Sequence, residues 1–308
     1  MNKLDWQGVI PAITTPFHED LSIDHAFLAE HASWMIDSGC RGIVAPGSLG
    51  EGGVLSHDER VALWRTLVSA VGSRVPVVAA ISAMSTAEAV ASARAADAAG
   101  CRGLMVLPPC VYRGDWRETR AHFAAVIHAT RLSCMLYNNP IAYGTDVLPE
   151  QVHELAAAHA NLHAVKESSA DVRRITALRA IDAERLAILV GVDDILVEGV
   201  QAGAVGWIAG LVNAFPKESV ELFEHARAGR REQAAALYRW FLPLLRMDVV
   251  PEFVHLIKLV QQEVGRGSER VRPPRLTLVG QKRENALATL RAALAARPAA
   301  GPPASQAR

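Results

Sequence analysis

Lysine is scarce in this chain: only Lys3, Lys166, Lys217, Lys258 and Lys282 stand among 32 basic residues, the rest being arginine. A lysine inside an apolar strand is therefore conspicuous. Cysteine is scarcer still, with Cys40, Cys101, Cys110 and Cys134 sharing no CxxC spacing, which argues against a zinc ribbon or a dithiol redox pair. No secretion signal opens the chain, so a cytoplasmic protein is expected, its thiols reduced and packed as small core groups. Net charge is also missing. With 32 basic residues against 32 acidic ones and no Lys/Arg-rich run, nothing gathers a nucleic acid. No apolar run reaches the roughly 18 residues a membrane span needs, so no membrane partner is expected. HExxH, GxSxG and Walker A patterns are absent, and no GxGxxG follows the first apolar run; metal ligation and dinucleotide binding therefore have little support.

What the sequence does have is apolar material, 50% of its 308 residues, enough to bury a large core. Short apolar runs alternate with amphipathic stretches. Strands are expected at Val9–Ile13, Gly42–Ala45, Val75–Ile81, Gly103–Leu107, Cys134–Tyr137, Leu162–Lys166, Ala187–Gly191 and Val205–Ala209. Helical patterns fall between them at about 24–38, 56–71, 86–99, 115–130, 149–159, 171–181 and 193–202, with Ser56, Ser85 and Asp171 as N-caps. Continuously apolar strands separated by helices imply parallel pairing with both sheet faces buried. Eight such units predict an α/β fold, a (β/α)₈ TIM barrel over residues 1–228. Helical patterns at about 230–245, 249–264 and 282–296 predict a three-helix C-terminal extension over 229–296, and the Pro/Ala-rich residues 297–308 read as a disordered tail.

Active sites of such barrels lie where strands end and polar residues begin. Four strand ends carry candidate chemistry. After the second strand, Gly47-Ser48-Leu49-Gly50-Glu51 is built to converge backbone N–H groups on an anion, with the Ser48 hydroxyl beside them, although the same residues also suit a plain turn. Lys166 ends the sixth strand and shares two-residue parity with Leu162 and Ala164, which points it into the barrel. Burial there would yield the neutral amine that attacks a ketone; the alternatives are a lysine snorkelling from a strand end or paired with Glu167. Tyr137, in parity with Met135 on the fifth strand, faces the same interior and suits proton transfer or plain core packing. Pro108-Pro109-Cys110-Val111-Tyr112 follows the fourth strand, where Cys110 or Tyr112 reaches the site or packs its loop.

Together these residues resemble the N-acetylneuraminate lyase/dihydrodipicolinate synthase family of class I lyases over about residues 5–295. The similarity is carried by Gly8 to Phe17, Gly47 to Glu51, Tyr137-Asn138-Asn139-Pro140, Val165-Lys166-Glu167-Ser168 and Gly191-Val192-Asp193-Asp194. It implies that Lys166 forms a Schiff base with a 2-oxo acid, that Tyr137 moves protons, and that Gly47, Ser48 and Leu49 hold the substrate carboxylate. It also implies a substrate-facing Ile208, an accessory Tyr143, no metal or organic cofactor, and a homo-oligomer, tetramer or dimer.

Departures from the family bear on the substrate. In the lysine-pathway synthase the second residue after the loop's first glycine is a hydroxyl in a relay between tyrosines; here it is Leu49. The tyrosine lent across that enzyme's dimer interface falls near Cys110, leaving Tyr112 as its substitute, and the arginine that clamps the second substrate is replaced by Ala142. The relay and the clamp both read as lost. The expectation is therefore a Schiff-base lyase or hydro-lyase for a small 2-oxo acid or cyclic imino acid, best matched to 1-pyrroline-4-hydroxy-2-carboxylate deaminase because Asn138-Asn139-Pro140-Ile141-Ala142-Tyr143 resembles that branch. Other readings are a 2-keto-3-deoxy sugar acid aldolase or dehydratase, N-acetylneuraminate lyase, the lysine-pathway synthase, and a non-catalytic barrel that binds a 2-oxo acid.

Overall fold

In the computed structural model, which describes residues 1–298, eight parallel strands form one sheet in the order β1-β8-β7-β6-β5-β4-β3-β2. They are β1 (Gly8–Pro11), β2 (Ile43–Ala45), β3 (Val77–Ile81), β4 (Gly103–Val106), β5 (Ser133–Asn138), β6 (Leu162–Glu167), β7 (Ala187–Val190) and β8 (Gly206–Ala209). A parallel bridge between Ala12, just past β1, and Val44 of β2 closes the sheet into a barrel, and the Ile13 N–H donates to the Val44 carbonyl at 3.1 Å. Crossovers run through α1 (His25–Asp37), α2 (His57–Val71), α3 (Thr86–Ala98), α4 (Trp116–His128), the single turn α5 (Pro140–Tyr143) with α6 (Pro149–Ala158), α7 (Arg173–Ile181) and α8 (Leu196–Gln201). The helix α9 (Pro216–Arg227) completes the eighth unit. The expected TIM barrel is therefore the fold.

Local chemistry sets the helix starts. Ser56 and Glu59 form a reciprocal capping box on α2, and the Ser85 side chain accepts the Glu88 N–H at the start of α3. Asp171 does not cap α7 as expected: its carboxylate accepts the Arg173 N–H at 3.0 Å in a local turn, and the helix begins at Arg173.

Alternate residues of each strand divide between two cores. Ile10, Val44, Met105, Met135, Ala164 and Ile208 fill the barrel, while Ile43, Val77, Leu104, Leu136, Val165 and Ile188 pack under the helices. Strand β6 contains the exception. Cys134 of β5 pairs with Leu162, but the next residue, Met135, pairs with Ala164, so His163 is an extra residue that bulges the strand. Leu162 consequently faces the helices, and Lys166 keeps its inward parity with Ala164 alone.

Beyond α9, Gly229 at φ 68 turns the chain into α10 (Arg231–Leu245), followed by α11 (Phe253–Glu263) and α12 (Gly280–Ala295). The helix expected at 249–264 starts only at Phe253, because Pro251 disfavours helical backbone in the residue before it. Ahead of it lies a 3₁₀ turn, Arg246–Asp248. Of the tail read as disordered, residues 299–308 lie outside the described residues, and Arg297 is ion-paired to Glu218. No helix among the described residues is long and apolar enough to cross a membrane.

Helix α11 is welded to the barrel mouth. Lys258, 1% exposed, donates to Glu51 Oε1 at 2.7 Å and to the Thr15 carbonyl at 2.9 Å, and Gln261 accepts the Thr14 hydroxyl at 2.9 Å. Removing one member of a buried pair strands the other charge, so Lys258→Met is expected to lower unfolding free energy by about 3–5 kcal/mol in denaturant titration. A loss below about 1 kcal/mol would show that Glu51 finds another partner.

Candidate active site

Two buried lysines occupy this fold, and their surroundings separate them. Lys258 is committed to Glu51. Lys166, 7% exposed at the end of β6, has no ion-pair or hydrogen-bond partner among the described residues, and its Nζ lies 3.9 Å from the centroid of the Tyr137 ring. Their Cα atoms are direct register partners across β5 and β6, which is why the two meet. Burial lowers the Lys166 ammonium to about 8, opposed by the fields of Asp248 and Asp193. Glu167 points the other way, accepting from the Asn138 amide at 3.1 Å and the Ser169 N–H at 2.6 Å, so the alternative of a Lys166–Glu167 pair does not hold.

The Tyr137 phenol is held by its own strand's continuation. Asn139 Oδ1 accepts the Ala142 N–H at 3.0 Å as the N-cap of α5, which orients its amide so that Nδ2 donates to the Tyr137 oxygen at 3.0 Å. The Ser168 hydroxyl is the other polar group at hydrogen-bonding range of the phenol. Burial raises Tyr137 to about 12, so it stays protonated. Tyr143, delivered by the same turn, sets its ring edge-on to Tyr137 at 5.7 Å between centroids, and its hydroxyl is hydrogen-bonded to Ser48 Oγ. A hydroxyl chain from the β2 loop to the tyrosine wall thus exists within one chain. Leu49, in the position expected to break the relay, packs with the residues under the helices; Ser48 bonds Tyr143, while Tyr143 meets Tyr137 through its ring and not through its hydroxyl.

The β2 loop carries a strained anchor. Glu51 sits at φ 56, unusual for a side-chain-bearing residue, and is fixed by Lys258 and by the Arg272 N–H, which donates to Oε2 at 3.0 Å. Among the described residues, the N–H groups of Ser48 and Leu49 meet no protein acceptor. A Cβ on Gly47 would meet only Met105 Cε at 3.5 Å and Ala80 Cβ at 4.0 Å, ordinary contacts, so the glycines the loop needs are Gly50 and Gly52 instead. Ile208 lines the barrel interior on β8.

Sequence reasoning missed three groups beside Lys166. Among the described residues, Asp248 Oδ1 is a buried polar atom with no hydrogen-bond partner, and the buried Ser168 Oγ has only the Tyr137 phenol within range. Gly191 is required for space, since a Cβ there would lie 2.5 Å from Lys166 Cε and 2.0 Å from Ser168 Oγ. The parity of 166 and 168 was the available signal for Ser168. Asp193, by contrast, is fully engaged: it accepts from Trp207 Nε1 at 2.8 Å and from the Gly210 and Leu211 N–H groups at 3.1 and 2.9 Å.

Of the accessory candidates, Tyr112 is not brought to the pocket of its own chain: it is 59% exposed and donates to Glu118 at 3.0 Å. Cys110 is half-buried with its Sγ 2.9 Å from Ser82 Oγ, whereas burial pushes the Cys40, Cys101 and Cys134 thiols up to about 12.

The chain as a whole resembles known proteins. A model of the dihydrodipicolinate synthetase family fits residues 5–293. The chain belongs to that family. Its members are class I Schiff-base lyases, and this chain is an enzyme of that class. It is 35% identical over 229 residues to the 4-hydroxy-tetrahydrodipicolinate synthase of Xanthomonas axonopodis pv. citri, covering 74% of this chain and 76% of that protein. Among solved structures, the dihydrodipicolinate synthase of Acinetobacter baumannii complexed with pyruvate superposes with a TM-score of 0.89 at 28% identity, covering 93% of this chain and 98% of that one. YagE of Escherichia coli K12, also complexed with pyruvate, gives 0.87 at 27% identity, covering 94% and 98%.

Proposed function

We propose that Lys166 attacks the C2 carbonyl of a small 2-oxo acid, or exchanges onto a cyclic imine, while Tyr137 moves the protons. The observation that carries this is the unpaired Lys166 amine sealed against the Tyr137 ring at 3.9 Å. Ser48 and the acceptor-free loop amides supply donors for the C1 carboxylate. Once the protonated imine forms, it withdraws electrons, and C3 gives up a proton or the C3–C4 bond breaks.

Within that class the reading is a deaminase for 1-pyrroline-4-hydroxy-2-carboxylate. Ala142 leaves no guanidinium on the loop after β5, and Tyr143 fills the wall between Tyr137 and Ser48, which favours a small substrate. The ring opens by transimination onto Lys166, the 4-hydroxyl leaves, and hydrolysis releases ammonia and an open-chain 2-oxo acid. A second reading, the lysine-pathway condensation, is favoured by the names of the relatives and by Arg113, whose guanidinium packs against Gly144 at the pocket rim.

The expected outcome is ammonia release from 1-pyrroline-4-hydroxy-2-carboxylate at kcat/KM of about 10⁴ M⁻¹s⁻¹ or more. Assays with 2-keto-3-deoxy sugar acids and with pyruvate plus aspartate semialdehyde run beside it. Condensation at that rate with no ammonia release would select the second reading. The exposed apolar residues Met84, Val111 and Tyr112 beside the mouth favour a homo-oligomer, which sedimentation of the chain tests.

A further inference from the structure

The 3₁₀ turn after α10 brings a carboxyl group over the barrel mouth, and none of the residues assigned above explains it. Asp248 reaches in across Gly210: a Cβ on that glycine would lie 2.0 Å from Asp248 Oδ1 and 2.3 Å from its Cγ. Oδ1 is sealed from solvent and, among the described residues, has no hydrogen-bond partner. The neighbouring Arg246 turns outward to Asp194 at 3.7 Å and does not pair with Asp248. Lys166 and Asp193 are the charges it feels.

Topology says which part of a substrate comes here. The carboxylate donors are at the end of β2 and the amine is at the end of β6, with Tyr137 and Tyr143 filling the wall on the β5 side. A chain bound at both points extends from C3 toward β7 and β8. On that side the absence of side chains at Gly191 and Gly210 lets Lys166 and Ser168 lie against the one and Asp248 against the other.

Building on the Schiff-base reading, we propose that Asp248 is a second acid–base catalyst, which protonates the oxygen leaving C4 of the substrate. Tyr137 serves C2 and C3 from the opposite wall. After C3 has lost its proton, the nitrogen lone pair re-forms the C2–N double bond and the C2–C3 pair shifts to C3–C4. The C4–O bond breaks with its electrons on oxygen, the Asp248 proton joins that oxygen, and water departs. Asp248 is left as a carboxylate that regains a proton from solvent. Burial and the nearby Asp193 raise its carboxyl well above the usual range, against the pull of Lys166, so the acid form is the one at hand.

A leaving group that needs no proton isolates this role. Wild type, Asp248→Asn and Asp248→Ser are compared on 1-pyrroline-4-hydroxy-2-carboxylate and on its 4-chloro analogue, with ammonia and chloride release as readouts. Borohydride-trapped pyruvate adduct in each protein reports the Schiff-base step separately. The expected result is a loss of about 10²–10³-fold on the hydroxyl substrate in both variants, with chloride release and pyruvate adduct formation within about threefold of wild type. Equal losses on the hydroxyl and chloro substrates, or a loss matched by the pyruvate adduct, would overturn the proposal by reducing Asp248 to support of Lys166. So would unchanged hydroxyl turnover, or a wild type that traps pyruvate yet releases neither group. A wild type that traps no pyruvate would instead refute the Schiff-base reading itself.

Discussion

Lys166→Arg should cost at least about 10⁵-fold in kcat, the scale on which an enzyme loses its nucleophile. The guanidinium stays protonated at any working pH and has no lone pair to offer a carbonyl, whereas burial brings the lysine amine to about 8. The sign of the pH dependence follows. Below that value the ammonium predominates and attack is slow, so adduct formation in the wild type should rise as pH climbs through about 8 and then level off. The variant should show neither adduct nor rise, with its far-UV circular dichroism unchanged. Residual turnover above about 1% would place the nucleophile elsewhere.

Tyr137→Phe carries the next largest expected effect, a fall in kcat of about 10²–10⁴-fold for loss of acid–base assistance. The ring survives, so the wall beside Lys166 and the edge-on contact with Tyr143 are kept, and only the proton and the bond from Asn139 are lost. Exchange of pyruvate C3 protons in deuterated buffer, followed by NMR, separates this from damage to binding: exchange should fall with kcat while KM moves little. If exchange persists at the wild-type rate, Tyr143, already bonded to Ser48, is the residue that moves protons.

Much of this was legible in the chain because period and burial coincide on parallel strands. Each apolar run announced a strand, and strand ends announced the mouth; Lys166, Tyr137 and the Ser48 loop follow from that logic. Parity was less safe on β6, where the bulge at His163 turns Leu162 outward while Lys166 stays inward. The inward assignment was right with only one of its two supports. Which glycines the β2 loop needs for space depends on neighbours that no local pattern reports: a Cβ would strike backbone oxygens at Gly50 and Gly52. The Tyr143–Ser48 bond spans 95 residues and no local pattern reports it. Asp248 was hidden for a related reason. Pro251 signalled that the helix could not run through 249–252, yet nothing local says that the resulting turn lies over a barrel strand some 38 residues back, at Gly210.

The account stands or falls on where a carbonyl substrate becomes attached. Incubation with pyruvate, reduction with borohydride and peptide mass mapping should find one adduct per chain, on Lys166, with Lys258 unmodified in its pair with Glu51. An adduct on Lys258 or Lys217, or a protein that gains none, would contradict it.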